Sequence, residues 1–236
     1  MRKIIGIFLV FFIGFYFAAS ASAHQPRIAE EEVIYVENPE VSQAFYGELN
    51  GAPEIYIIDS DRNFRLYVGI LSPDIPGADK DFSVRVAEQD TDQPFEYLLD
   101  ASKSDWELFH EEFAKDDYFN GPELKDTSYE GELPRGVEVG AGKYQLTVFS
   151  PDNSGKYVLV VGEKEEFPPK EIWNTFKVLP KLKKDFWGKS YLSAFWNLIG
   201  LFFLIAIVIA VVIVLLLIWI TKKVVKRYGK SRARRL

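Results

Sequence analysis

The chain has no cysteine, one methionine and only two histidines in 236 residues. Without cysteine there is no disulfide framework, no thiolate nucleophile and no cysteine-bound metal. A domain of roughly 150 residues buries enough apolar surface to fold without such staples, so the absence does not argue against export. Catalytic signatures are missing as well. There is no Gly-x-Ser-x-Gly elbow and no phosphate-binding glycine loop. "HEEF" at 110–113 lacks the second histidine of a zinc helix. The acidic pairs Glu111/Glu112 and Asp116/Asp117 are sequence neighbours, not carboxylates opposed across a cleft.

Charge is absent from one long stretch. Leu198 to Ile220 is 23 residues without a charged side chain. At helical rise it covers about 35 Å, enough for a hydrocarbon core of about 30 Å. Trp196 and Trp219 stand near its ends, where indoles favour the headgroup boundary. A buried helix of a soluble core is the competing reading, and it fails on length and on the lack of any polar face. The span is therefore expected to be a single transmembrane helix, residues 195–221, and the lack of charge inside it argues against a single-chain ion or proton path. Residues 222–236 follow with eight Lys/Arg and no acid, which marks them as a cytoplasmic tail.

The N-terminus independently gives the same orientation. Arg2 and Lys3 precede the apolar run Ile4 to Ala18, and Ala21-Ser22-Ala23 supplies a small–x–small cleavage site. An uncleaved anchor is the alternative. The shortness of the run and its small-residue end favour a signal peptide over 1–23, with His24 as the mature N-terminus. The expected location is the plasma membrane, the N-terminal domain outside and the tail in the cytoplasm.

The net charge of −6 conceals a partition. Residues 24–169 hold 32 acids and 12 Lys/Arg, a net of −20, whereas 170–189 hold six lysines and two acids. Such an acidic segment repels nucleic acid and anionic lipid, while the lysines beside the span can lie near lipid phosphates.

Residues 24–169 alternate with period two. Phe64, Leu66, Val68 and Ile70 share one face, as do Phe82, Val84 and Val86, then Tyr144, Leu146 and Val148, then Tyr157, Leu159 and Val161. Weaker runs lie at 33–37, 41–48, 54–59, 95–99 and 137–139. The pattern predicts a mainly β domain, a jelly-roll-like antiparallel β-sandwich. "SPDNSG", Ser150 to Gly155, reads as a hairpin turn between the last two strands. One short helix is predicted within 104–121: Ser104 as cap, Asp105 and Glu107 in the first turn, and Trp106, Phe109, His110 and Phe113 as an apolar stripe. Residues 170–194, with Ile172, Trp173, Phe176, Phe186 and Trp187, form a juxtamembrane linker. It is either an interfacial amphipathic segment or a spacer packed on the sandwich.

"GKYQLTVFSPDNSGKYVLVVGE", Gly142 to Glu163, resembles the closing hairpin of bacterial pre-peptidase C-terminal domains, which pair a Gly-x-Tyr strand with a Gly-Lys/Gly-Tyr strand. The resemblance covers about thirty residues. It implies a small jelly-roll-like sandwich and a binding or accessory role, and it carries no functional residue over. The full layout, together with the lack of an Asn-x-Ser/Thr sequon, resembles membrane-anchored prokaryotic proteins.

Two functions stand beside each other. The first is a non-catalytic binding or scaffolding module, an accessory subunit of an envelope complex, with membrane lipid and a protein or glycan as partners. The second is a copper enzyme or carrier, in which the amine and ring of His24 and the ring of His110 form a brace, since copper(II) favours nitrogen-rich sites. Against the brace, the stripe makes His110 a packed helical residue, and cleavage explains the position of His24, which should sit near the domain surface. Self-association through Ala206 and Ala210, four apart, is a further small-xxx-small possibility, set against an ordinary lipid-facing helix.

Overall fold

The computed structural model describes residues 24–92, 94–111, 114–128 and 135–233, without the side chains of 198, 199, 202, 203, 206 and 224–233. The expected signal peptide, Phe113 and the side chain of Ala206 lie outside the described residues.

Alternation produces strands throughout the acidic domain. They are β1 (Gln25–Ile28), β2 (Val33–Tyr35), β3 (Gln43–Asn50), β4 (Glu54–Ser60), β5 (Phe64–Leu66), β6 (Val68–Pro73), β7 (Ser83–Gln89), β8 (Glu96–Leu99), β9 (Glu107–Glu111), β10 (Asp116–Glu123), β11 (Val137–Val139), β12 (Gly142–Phe149) and β13 (Ser154–Val161). One sheet has the order β1-β3-β13-β6-β10-β9, the other β2-β4-β12-β7-β8, and β5 pairs with β11. The architecture is mainly β. Its pairings are mixed, because the edge pairs β1–β3 and β2–β4 are parallel while the rest are antiparallel.

Between the sheets lies the core that the alternation predicts: Phe64, Leu66, Val68, Ile70, Phe82, Val84, Val86, Tyr144, Leu146, Val148, Tyr157, Leu159 and Val161 are all buried. Its polar atoms are satisfied internally. The Tyr56 hydroxyl meets that of Tyr157 at 2.8 Å, and Tyr157 donates in turn to Glu54 Oε2. Gly47 leaves room for that ring, since a Cβ there would come within 2.6 Å of it.

Two expectations are corrected. The helix predicted within 104–121 is a β-hairpin, β9 against β10, with Phe109 opposite Tyr118 and Leu108 opposite Phe119. Trp106 has φ +48°, which no helix tolerates, and its buried indole donates to the Ala101 carbonyl at 3.2 Å. The i, i+3, i+4 stripe was a coincidence of aromatic spacing; cross-strand pairing uses the same residues better. The segment "SPDNSG" is not a hairpin either. β12 and β13 belong to different sheets, so the turn is an arch between layers, with Asn153 at φ +49° and Gly155 at φ +99°. A short helix does form, but in the linker, at α1 (Pro169–Lys181), which starts with proline in its first turn and carries Glu171 there.

Pro180 removes an amide from the end of α1, and the chain continues as a π-turn, Leu182–Phe186. A short 3₁₀ turn, Tyr191–Phe195, leads to α2 (Leu198–Ala233). The π-turn and Trp187 lie on the outer face of the six-stranded sheet. Leu182, Phe186 and Trp187 form a second buried cluster there with Ala44, Tyr67, Tyr118, Val158 and Val160. Of the two readings of the linker, packing on the sandwich describes 182–187. β13 is thus buried on both faces, which explains its nearly continuous apolar sequence.

Among the described residues no helix is long and apolar enough to cross a membrane. Five side chains at the start of the expected span, those of 198, 199, 202, 203 and 206, fall outside them. The described apolar side chains from Ile207 onward are largely exposed around the whole circumference of α2.

Core burial yields a stability prediction. Leu146→Ala should cost about 2–5 kcal/mol in denaturant unfolding, whereas Leu98→Ala, at a side chain 51 % exposed on edge strand β8, should stay within about 0.5 kcal/mol. Equal effects would contradict the layering.

Candidate functional site

Strands β1 and β2 are the edges of the two sheets on one side of the sandwich. Between them and the start of α1 opens a groove of ≈ 720 Å³. Glu30, Glu31, Glu37, Glu166 and Glu171 line it, against Arg27 and Lys170. Several of these charges are already paired: Arg27 with Glu171 at 2.9 Å, Lys181 with Glu30 at 2.6 Å, Lys164 with Glu166 at 2.6 Å. Glu31 and Glu37 have no cation partner among the described residues. The groove is therefore acidic, and the exposed Val33 and Tyr35 of β2 stand beside it. It suits a ligand that donates hydrogen bonds or carries positive charge.

A second constellation joins the linker to the sandwich. Lys183, 2 % exposed, donates to Asp116 Oδ2 at 2.6 Å and to the Ala114 carbonyl at 2.8 Å. Lys189 reaches Asp116 Oδ1 at 2.9 Å. Burial pulls the Lys183 ammonium down, opposed by the carboxylate it touches. Around this centre the Tyr46 and Tyr118 hydroxyls meet at 3.1 Å, and their rings take Phe186 and Trp187 edge-on at 5.1 Å each. Lys156 of β13 closes the turn by donating to the carbonyls of Asp185 and Phe186, both at 3.0 Å. Asn197 accepts from the Gly200 amide at 2.9 Å, capping α2, while its amide reaches the Ala114 carbonyl at 3.4 Å.

The histidines are not brought together. His24 precedes β1 and His110 lies in β9, the two opposite edges of the six-stranded sheet. Five strand spacings separate those edges, about 24 Å, so the rings share no copper site. His24 is half-buried rather than superficial. Its Nδ1 meets the Ser42 hydroxyl, and burial, aided by the charge of Arg135, pulls its pKa down to about 4. His110 is not packed in a core. Its ring is exposed, and Nδ1 lies 2.6 Å from Asp117 Oδ1 across the hairpin. Among the described residues no group of three or more His, Asp or Glu has the arrangement of a metal site.

Near His24 the end of the sheet carries a further network. Tyr67 donates to Glu123 Oε2 at 2.9 Å, and Arg135 donates to the same oxygen at 3.0 Å while lying 4.4 Å over the Tyr67 ring. Burial opposes the Glu123 charge, but the Tyr67 and Lys125 hydrogen bonds and the Arg135 charge outweigh it and hold its pKa low. Neither this network nor the Asp116 centre was found from sequence. A strand reading of 116–123 places Asp116 and Tyr118 on one face, and the spacing of Leu182, Phe186 and Trp187 was the available sign that something covers it.

No family model matches the chain, and no curated protein matches it. Among solved structures it is similar to the pre-peptidase C-terminal domain of collagenase from Bacillus anthracis, at 10% identity over 56% of this chain and 96% of that one, with a TM-score of 0.31. At that distance no residue and no activity carries over.

Two predictions follow from this geometry. Lys183→Met leaves Asp116 buried with only Lys189 beside it and should cost about 3–5 kcal/mol, much of which Asp116→Leu in the same chain should restore. Denaturant unfolding of the single and double variants checks this, and a near-zero effect of Lys183→Met would contradict the burial. An imidazole held at about 4 when folded and at 6.5 when free takes up a proton on unfolding. Stability should therefore fall as pH drops from 6.5 toward 4, by at most about 3 kcal/mol. His24→Gln should remove that part of the slope in thermal unfolding.

Proposed function

We propose that this chain is a single-pass membrane protein that holds an acidic β-sandwich outside the plasma membrane as a non-catalytic binding or scaffolding module. The observation that carries the reading is the docking of residues 182–187 onto the six-stranded sheet through Lys183, Asp116, Phe186 and Trp187. A domain on a free linker samples many attitudes; a domain whose linker is built into its second core presents one. The uncharged run at 198–220, with apolar side chains exposed all round among those described, supports α2 as the anchor. The leader at 1–23 and the basic tail support the orientation.

The acidic groove between β1, β2 and α1 is the proposed ligand face, for a basic protein segment or for a glycan that offers hydroxyl donors. This is the role of an accessory subunit in an envelope complex. The copper brace is not retained, because its two rings stand at opposite edges of one sheet.

The test uses the full chain in lipid nanodiscs. A lysine-rich extended peptide should bind with an affinity that falls as salt rises, and Glu31→Lys with Glu37→Lys should abolish that binding. In cells, a cysteine at position 231 should react with an impermeant reagent only after permeabilisation. Labelling from outside would overturn the topology, and peptide binding indifferent to both charge reversals would overturn the groove.

A further inference from the structure

The linker has two halves with opposite fates. Leu182, Lys183, Phe186 and Trp187 are buried on the sheet, whereas α1 has no buried residue. Trp173, 60 % exposed, stacks on Phe176 at 5.9 Å with ring planes 8° apart. Phe176 in turn lies 5.3 Å from Phe195, and the next residue, Trp196, is 81 % exposed immediately before α2. These rings form a ledge that runs from α1 to the beginning of the apolar helix. A contiguous run of aromatic surface of this kind marks a contact with something apolar.

The lysines say what that contact is. Of the six in 170–189, Lys181 is engaged by Glu30, and Lys183 and Lys189 by Asp116. Lys170, Lys177 and Lys184 have no carboxylate partner among the described residues. Lys177 Nζ lies 5.3 Å from the Trp173 ring centre and Lys184 Nζ 4.8 Å from that of Tyr191, so these cations stand beside the rings of the linker. Amphipathic rings with flanking cations match the boundary of a bilayer, where indoles sit among headgroups and ammonium groups meet lipid phosphates.

We propose that the ledge of Trp173, Phe176, Phe195 and Trp196, with Lys177 and Lys184, seats on anionic phospholipid in the leaflet from which α2 descends. This rests on the membrane-spanning reading of α2. The sandwich, at −20 over 24–169, is repelled by the same lipids, so only the ledge side faces the surface. The Asp116 centre fixes the ledge to the sheet, and lipid contact then sets the tilt of the whole domain.

The absence of native cysteine allows single labels on the full chain. An environment-sensitive fluorophore is placed at Trp173→Cys, at Leu215→Cys within α2, and at Arg62→Cys on the exposed surface. The chains are reconstituted in vesicles of phosphatidylcholine, with and without phosphatidylglycerol. We expect the label at 215 to be shielded from aqueous iodide and that at 62 to be quenched freely. The label at 173 should be shielded and quenched by nitroxide at headgroup depth, more so with phosphatidylglycerol. Lys177→Glu with Lys184→Glu should cancel the phosphatidylglycerol increment. If 215 is shielded and 173 stays aqueous in both lipids, the ledge is overturned and the anchor stands. If 215 is aqueous, the anchor reading and the ledge fall together. Shielding at 173 that disappears on diluting the protein in lipid would mean a second copy covers the ledge, and no increment with phosphatidylglycerol would overturn the choice of anionic lipid.

Discussion

Asp116 and Lys183 lie 67 positions apart in sequence and meet at 2.6 Å with almost no exposure. Removing both charges from water is costly, and the arrangement persists only because each is fully engaged: Lys183 by a carboxylate and the Ala114 carbonyl, Asp116 by two ammonium groups. Apolar residues would pack there as tightly. What the ion pair adds is registry. A π-turn carrying Leu182, Phe186 and Trp187 can slide over a surface of Ala44, Val158 and Val160, but it seats in one place when a buried ammonium must find one carboxylate. The second core, the attitude of α1, and the approach of Asn197 to the β9–β10 hairpin all follow from that position.

The sheets themselves obey a different rule. From β1 to β4 the chain changes sheet at every strand, and it does so again from β6 to β7, from β8 to β9 and from β12 to β13. Each crossing is an arch, so neighbours in sequence face one another across the core rather than pairing side by side. Two consequences bear on function. The parallel pairs β1–β3 and β2–β4 put both edge strands on the same side, where the acidic groove opens. The same layout sends β1 and β9 to opposite edges of one sheet, which separates the two histidines. A carboxylate-lined opening and an absence of convergent imidazoles are both products of topology.

Charge is partitioned along the chain, −20 over 24–169 against six lysines and two acids over 170–189. Carboxylates line the groove together with Arg27 and Lys170, while Lys177 and Lys184 lie along the linker beside Trp173 and Tyr191. Under the membrane-spanning reading proposed above, the acidic part is the one kept away from anionic lipid and the aromatic, basic part the one that meets headgroups.

Sequence alone determined the β class and most strand positions, because period-two alternation is a local consequence of burying one face of a strand. It also picked out the inner faces of β6, β7, β12 and β13, and the uncharged run at 198–220. It misread 104–121 as a helix, since Trp106, Phe109, His110 and Phe113 satisfy helical spacing and nothing local reports the positive φ of Trp106. It took the "SPDNSG" arch for a hairpin, since turn residues specify a reversal but not which sheet receives the next strand. His24 and His110 were visible as residues and invisible as neighbours. Partners for Asp116 and Tyr118 were beyond reach for the same reason: a contact across 67 positions is decided by which surface remains uncovered once two sheets have closed. That is settled by packing in three dimensions, to which no stretch of sequence has access on its own.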